Sequence, residues 1–200
     1  MMILRSSPTS PFGRKVKLAA AILGLTSEIE IVVADTSNPD AGLLQQNPLG
    51  KIPTLVLEDG RTFYDSAVIL EYLDARAGGG KLIPSGEARF TTLTRQALAD
   101  GVAEAALLVV YEQRFREADM RSAKWVANQN GKVDRGLAFF EENQPDVTAK
   151  TVDAIALAAA LGYLDLRFDS VWRATHPKLV AWISAFAAEV PAFEATRVRG

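Results

Sequence analysis

The chain changes character once, and that change limits its fold more than anything else in it. Through Arg76 it alternates short β-branched runs with helical stretches; from Glu87 onward no convincing strand can be found. Gly78-Gly-Gly80 and Pro84-Ser-Gly86 bracket the break, and glycine and proline are the residues that punctuate regular structure. The expectation is an α/β unit over residues 1–79, a linker over 80–86 and an all-α helical-bundle unit over 87–200. A chain of 200 residues can bury enough apolar surface to hold such a fold without covalent staples.

In the first unit Met2–Arg5 reads as a strand. Ser10 is a good N-cap and Pro11 loses no needed N–H at the first helical position, so a helix is expected to start there. Val16, Leu18, Ala19, Ile22 and Leu23 recur at helical spacing, and Gly24 suits the stop. Ile29–Val33 reads as a second strand; residues 35–47 are polar and turn-rich, with a helical turn or two. Ile52–Leu57 and Arg61–Tyr64 flank Glu58-Asp-Gly60, a hairpin signal, and Ser66 is expected to cap a helix over Ala67–Arg76. This order suits a parallel crossover followed by an antiparallel hairpin. In the second unit, helical periodicity runs over about 87–115, 120–142, 152–167 and 177–188.

Composition removes whole classes of function. There is no cysteine, so disulfides, thiolate metal sites, iron–sulfur clusters and a protein-borne thiol nucleophile are all excluded. With one histidine, His176, a histidine-rich metal site is excluded as well. Lys and Arg number 22 against 24 Asp and Glu, a formal net charge of −2 without the basic excess of a nucleic-acid or acidic-membrane binder. The opening Met1–Phe12 stretch is too short in its apolar run for a signal peptide, and residues 154–168 are too short and too charged at their end to span a bilayer. A soluble, cytoplasmic protein is expected.

Four segments, taken together and in order, resemble the glutathione transferase family. They are Ser7-Pro-Thr-Ser-Pro-Phe12 with Arg14-Lys-Val-Lys17, Gln46-Asn-Pro-Leu-Gly-Lys-Ile-Pro-Thr-Leu55, Tyr64-Asp-Ser-Ala-Val-Ile-Leu-Glu-Tyr-Leu73, and His176-Pro-Lys-Leu-Val-Ala-Trp182 with Val190-Pro-Ala-Phe193. The first is similar to the serine-type active-site turn of tau-like and omega-like members. The resemblance implies a thioredoxin-like domain followed by a helical domain. It further implies glutathione as cosubstrate, no metal, a homodimer, and conjugation of the thiol to a small hydrophobic electrophile of the kind met in detoxification.

The resemblance also implies roles. Pro53, at the start of an apolar run, can be an edge-strand proline, or can form a cis Ile52–Pro53 bond that turns the Ile52 backbone outward to pair with an extended peptide. Asp65 and Ser66 can act as helix-capping residues, or can hold the γ-glutamyl ammonium and carboxylate at the helix start. Lys51 can serve the glycine-end carboxylate or sit as a solvated strand-end lysine, and Phe12 belongs to the same glutathione-binding set. Ser10 leads as the catalytic hydroxyl, with Thr9 and Ser7 as neighbours able to take the role. Lowering a thiol pKa from about 8.5 to about 6.5 needs about 2.7 kcal/mol of preferential thiolate stabilisation, within reach of a hydroxyl donor backed by a helix N-terminus.

Elsewhere, Arg14, Lys15 and Lys17 read as ordinary helix-surface residues. Asp100, in an otherwise apolar helix, is solvent-facing or reaches glutathione in a partner subunit, with the second preferred. Tyr111, Phe115, Trp125 and Tyr163 are core residues or walls for the second substrate. Thr151 can cap its helix, but Asp153 stands one position early for a reciprocal capping box. Because cysteine-bearing relatives form mixed disulfides with glutathione, serine at position 10 implies conjugation rather than thiol exchange.

Overall fold

The structure, a computed structural model, describes residues 1–198. Strands among them are confined to the first third of the chain: β1 (Met2–Ser6), β2 (Ile29–Val33), β3 (Thr54–Val56) and β4 (Thr62–Phe63). Helices α1 (Pro11–Ile22), α2 (Ala41–Gln46) and α3 (Ser66–Arg76) intervene. After them come α4 (Glu87–Phe115), α5 (Ala123–Glu142), α6 (Val152–Arg167), α7 (Pro177–Glu189) and the short α8 (Ala192–Ala195).

The four strands form one mixed sheet in the order β2-β1-β3-β4. β1 runs parallel to β2, with Leu4 opposite Ile31, and antiparallel to β3, with Leu4 opposite Leu55; β3 and β4 close the hairpin. Along β1 the side chains alternate: Met2, Leu4 and Ser6 are buried, and Ile3 and Arg5 are less so. That period of two presents Met2 and Leu4 to a core shared with Val16 and Ala19 of α1 and Ile69, Leu70 and Leu73 of α3.

β1 gains Ser6 and β4 is trimmed to Thr62–Phe63, and three further elements differ from expectation at their ends. β3 is shorter than the apolar run, starting at Thr54, because Pro53 has no N–H to give to a ladder. α5 starts at Ala123, after a 3₁₀ turn over Ala118–Met120, with Ser122 accepting from the Trp125 N–H at 3.2 Å. At α3 the cap is Asp65, whose carboxylate accepts from the Ala67 N–H at 2.8 Å, and Ser66 is the first helical residue instead.

The connection between strands-and-helices and helices-only is tightly held. Gly78, Gly79 and Gly80 all adopt positive φ, which lets the backbone wrap the Asp74 carboxylate. That carboxylate accepts from the N–H groups of Gly80, Lys81 and Leu82 at 3.0, 2.9 and 2.8 Å. Leu82 and Ile83 are delivered into the core, and the Leu82 carbonyl accepts from the Val152 N–H at 3.0 Å.

α6 is the centre of the helical part. Every residue from Val152 to Leu161 is buried, packed against α4 on one side and α1 on another. The Thr151 hydroxyl donates to Asp153 at 2.5 Å and makes no bond to the helix backbone, so the side-chain cap expected of it does not form: the acid two residues on takes its proton. No helix among the described residues is long and apolar enough to cross a membrane.

Candidate active site

The first turn of α1 sets the site. Gly13 lets that turn press against the end of β1: a Cβ there would lie 2.1 Å from the Ser6 hydroxyl. Ser10 is the N-cap; its Oγ accepts from the Gly13 N–H at 3.1 Å, a bond that leaves the hydroxyl proton unused. Ser7 Oγ and Thr9 Oγ1 lie 3.3 Å apart and bond to each other. Phe12 is partly buried against the core.

A second group sits where β3 and α3 begin. The Ile52–Pro53 peptide is cis, and so is Tyr64–Asp65. Asn47 is buried and binds this turn from inside: its Nδ2 donates to the Lys51 carbonyl at 3.0 Å and to Thr54 Oγ1 at 3.2 Å, and Thr54 Oγ1 donates to the same carbonyl at 2.9 Å. Neither the N–H nor the C=O of Ile52 is bonded to another described residue. The Lys51 side chain and Asp65 are exposed, and Ser66 is buried with its Oγ 3.3 Å from Asp65.

Two residues read from sequence as surface charges are buried at the heart of this arrangement. Lys15 is 1% exposed, and its Nζ donates to both Asp100 carboxylate oxygens, at 2.6 and 2.8 Å, and to Ser66 Oγ at 3.1 Å. Asp100 is half-buried, and α4 brings it under α1 as the counter-charge of Lys15. Burial pushes the Asp100 carboxyl up from its usual range, Lys15 pulls it back, and Asp65 adds to the rise. The Glu104 carboxyl is likewise raised by desolvation and by Asp100 and Asp65, against Lys51 and Lys15, so these charges share one field.

Arg14 is the other correction. It lies against Gly162 of α6, where a Cβ would come within 2.1 Å of Nη1. Its Nη2 donates to the Phe193 carbonyl at 2.6 Å, Nε donates to Thr196 Oγ1 at 3.2 Å, and the guanidinium sits 4.1 Å from the Phe193 ring centroid. Burial lowers its pKa to about 10. Lys17 is partly buried, and desolvation together with the Arg14 charge lowers it too.

A cleft of about 400 Å³ opens over this side of α1, lined by Thr9, Ser10, Arg14, Tyr163, Asp165 and Arg197 among others. Asp165 is not free there: Arg173 donates to its two oxygens at 2.9 and 2.6 Å and Trp172 Nε1 to one at 2.9 Å. Burial raises that carboxyl, but these bonds outweigh it and hold it below the ordinary range. The Tyr163 hydroxyl is pushed up to about 12 by burial and stays protonated. Of the four aromatic candidates only Tyr163 lines the cleft; Tyr111 packs edge-on to Phe115 at 5.0 Å, and Phe115 and Trp125 are exposed. Lys51, Ile52, Asp65 and Ser66 are not among its walls; they form a separate polar rim along β3 and α3, joined to α1 by the Lys15–Ser66 bond.

Sequence reasoning missed Arg14, Lys15 and Arg197. A signal existed for Lys15, which falls on the same helical stripe as Pro11, Leu18 and Ala19, a face otherwise apolar. None existed for the partners, which lie far along the chain.

Comparison with known proteins agrees with this architecture. The model of the glutathione S-transferase N-terminal domain matches residues 9–76. The chain is 36% identical over 185 residues to the uncharacterised GST-like protein YibF of Escherichia coli K12, covering 90% of each. It superposes over its whole length on a glutathione transferase family member from Pseudomonas fluorescens Pf-5 solved with bound glutathione, at 40% identity and a TM-score of 0.93. It superposes similarly on the Pseudomonas structure with bound S-(propanoic acid)-glutathione, at 37% identity and a TM-score of 0.87. With a thioredoxin-like first part and a helical second part, this chain belongs to the glutathione transferase family.

Proposed function

We propose that the protein is a cytoplasmic, homodimeric glutathione transferase of the conjugating type, with Ser10 as the residue that activates the glutathione thiol. The observation that carries this is the Ser10 cap: its Oγ is anchored to the first turn of α1, its proton is unused, and it faces the cleft beside a helix N-terminus. Thr9 and Ser7 share one hydrogen bond, which uses the proton of one of them, whereas the Ser10 hydroxyl is fixed by the helix start with its own proton unused. Glutathione would lie along the rim. The outward Ile52 backbone beside Pro53 would pair with its cysteinyl unit. Asp65 and Ser66 would take the γ-glutamyl ammonium and carboxylate, Lys51 the glycine carboxylate, and Phe12 would support the turn beneath. Lys15, through its bond to Ser66, is a positioning residue for that rim.

In the reaction the thiolate attacks the electrophilic carbon, a carbon–sulfur bond forms, and the leaving group departs with its electron pair. The protein contributes alignment and a donor to the sulfur. No metal is required, since the nucleophile comes with the cosubstrate. The test is the pH–rate profile for conjugation of a generic aromatic chloride by wild type and Ser10→Ala. Ser10→Ala is expected to lower kcat/KM about 25-fold at pH 7, the fall in thiolate fraction when the thiol pKa moves from about 6.5 toward 8.5. Equal, negligible rates in both would favour a glutathione-binding module with little catalysis, and calorimetry with no glutathione binding at millimolar concentration would overturn the reading.

A further inference from the structure

The second-substrate cleft contains a cation that the fold leaves uncompensated. Arg14 is 7% exposed, yet no Asp or Glu among the described residues forms an ion pair with it. Its bonds go to neutral acceptors, the Phe193 carbonyl and the Thr196 hydroxyl. The two carboxylates nearest in influence are engaged elsewhere: Asp165 by Arg173 at 2.6 Å and Glu194 by Arg197 at 3.4 Å. Nη1 bonds to no described residue and lies against Gly162, on the wall of the cleft. A buried guanidinium without a counter-ion is costly unless something supplies one.

We propose that this cleft selects electrophiles bearing a carboxylate, which pairs with Arg14. Ser10, at the start of α1, and Arg14, one turn on, both line this cleft, so an electrophile held beside Ser10 shares the cavity with the guanidinium. A carboxylate carried on the electrophile's chain enters that same cavity. Tyr163 lines the same cleft and keeps its proton, which makes it a second donor to the carboxylate. A positively charged electrophile finds no open acceptor, because Asp165 is filled by Arg173 and Trp172.

The inference rests on the glutathione reading, and one calorimetric series separates the two. The ligands are glutathione, S-(2-carboxyethyl)glutathione and its neutral isostere S-(2-carbamoylethyl)glutathione, titrated into wild type. The carboxylate conjugate is expected to bind about tenfold tighter than the amide, as a charge-assisted bond in place of a neutral one requires. In Arg14→Gln, checked for a cooperative thermal transition, that preference disappears while glutathione binding stays. Equal binding of the two conjugates by wild type overturns the inference alone, and this comparison decides even if Arg14→Gln does not fold. Failure of all three ligands to bind overturns the glutathione reading and the inference with it.

Discussion

Arg14 and Lys15 are neighbours on α1 and both are buried, yet the two sides of the helix treat their charges in opposite ways. On the α4 side Lys15 meets a carboxylate at 2.6 Å and gives a further N–H to Ser66. On the α6 and α8 side Arg14 meets a carbonyl, a hydroxyl and an aromatic ring. Loss of one partner leaves a buried charge uncompensated on the Lys15 side, whereas Arg14 has no carboxylate partner to lose. Removing one partner should therefore cost most on the Lys15 side.

Asp100→Asn would leave the buried Lys15 without its counter-charge, and the expected loss is about 3 kcal/mol, read as a fall in the urea midpoint. Lys15→Met should cost a similar amount, and the double variant with Asp100→Leu less than the sum. Additive single losses would break the comparison, since they would mean the two charges do not act as a pair. Gly162→Ala probes the other side. The added methyl group displaces the Arg14 guanidinium, and about 2 kcal/mol is expected, together with faster hydrogen exchange through residues 193–197. Gly101→Ala on α4, where an added Cβ meets nothing within 4 Å, should instead gain about 0.5–1 kcal/mol. Equal effects of the two glycine changes would mean that Arg14 is not fixed against α6.

The smallest effect belongs to Asp165. Its folded pKa is depressed, so the stability it contributes is present above the ordinary aspartate pKa near 3.8 and is lost as pH falls through the lower folded value. Asp165→Asn should cost about 1 kcal/mol at neutral pH, a modest figure because Arg173 is one-third exposed. The difference from wild type should close as thermal melts are taken below pH 3.8. A gap that persists unchanged in acid would mean packing, not charge, is what Asp165 supplies.

Local residue patterns reveal most of the secondary structure and almost none of the long-range polar contacts. The spans of β2, α4 and α6 follow from their periodicity and end residues, and Ser10 followed by Pro11 marks the start of α1 because cap chemistry is local. The choice between Asp65 and Ser66 as cap was decided by one residue's rotation of the chain, which composition does not encode. Arg14 and Lys15 looked like solvated charges because their acceptors stand 179 and 85 residues away. The rule that charged side chains stay outside holds only until a fold brings them a partner, and that meeting is a tertiary event. The cleft was legible through Ser10 and Thr9 and illegible through Arg197, which reaches it only after α8 has folded back over α1.

The Lys15–Asp100 bridge also bears on how such proteins can be recombined. It ties the first helix of the strand-bearing part to the longest helix of the other, beside Ser66 at the start of α3. Grafting residues 1–79 onto the helical half of a relative would succeed only where that relative offers an acid at the same place. In this chain Lys15 and Asp100 would have to be exchanged or changed together, as would Arg14 with its acceptors near Phe193.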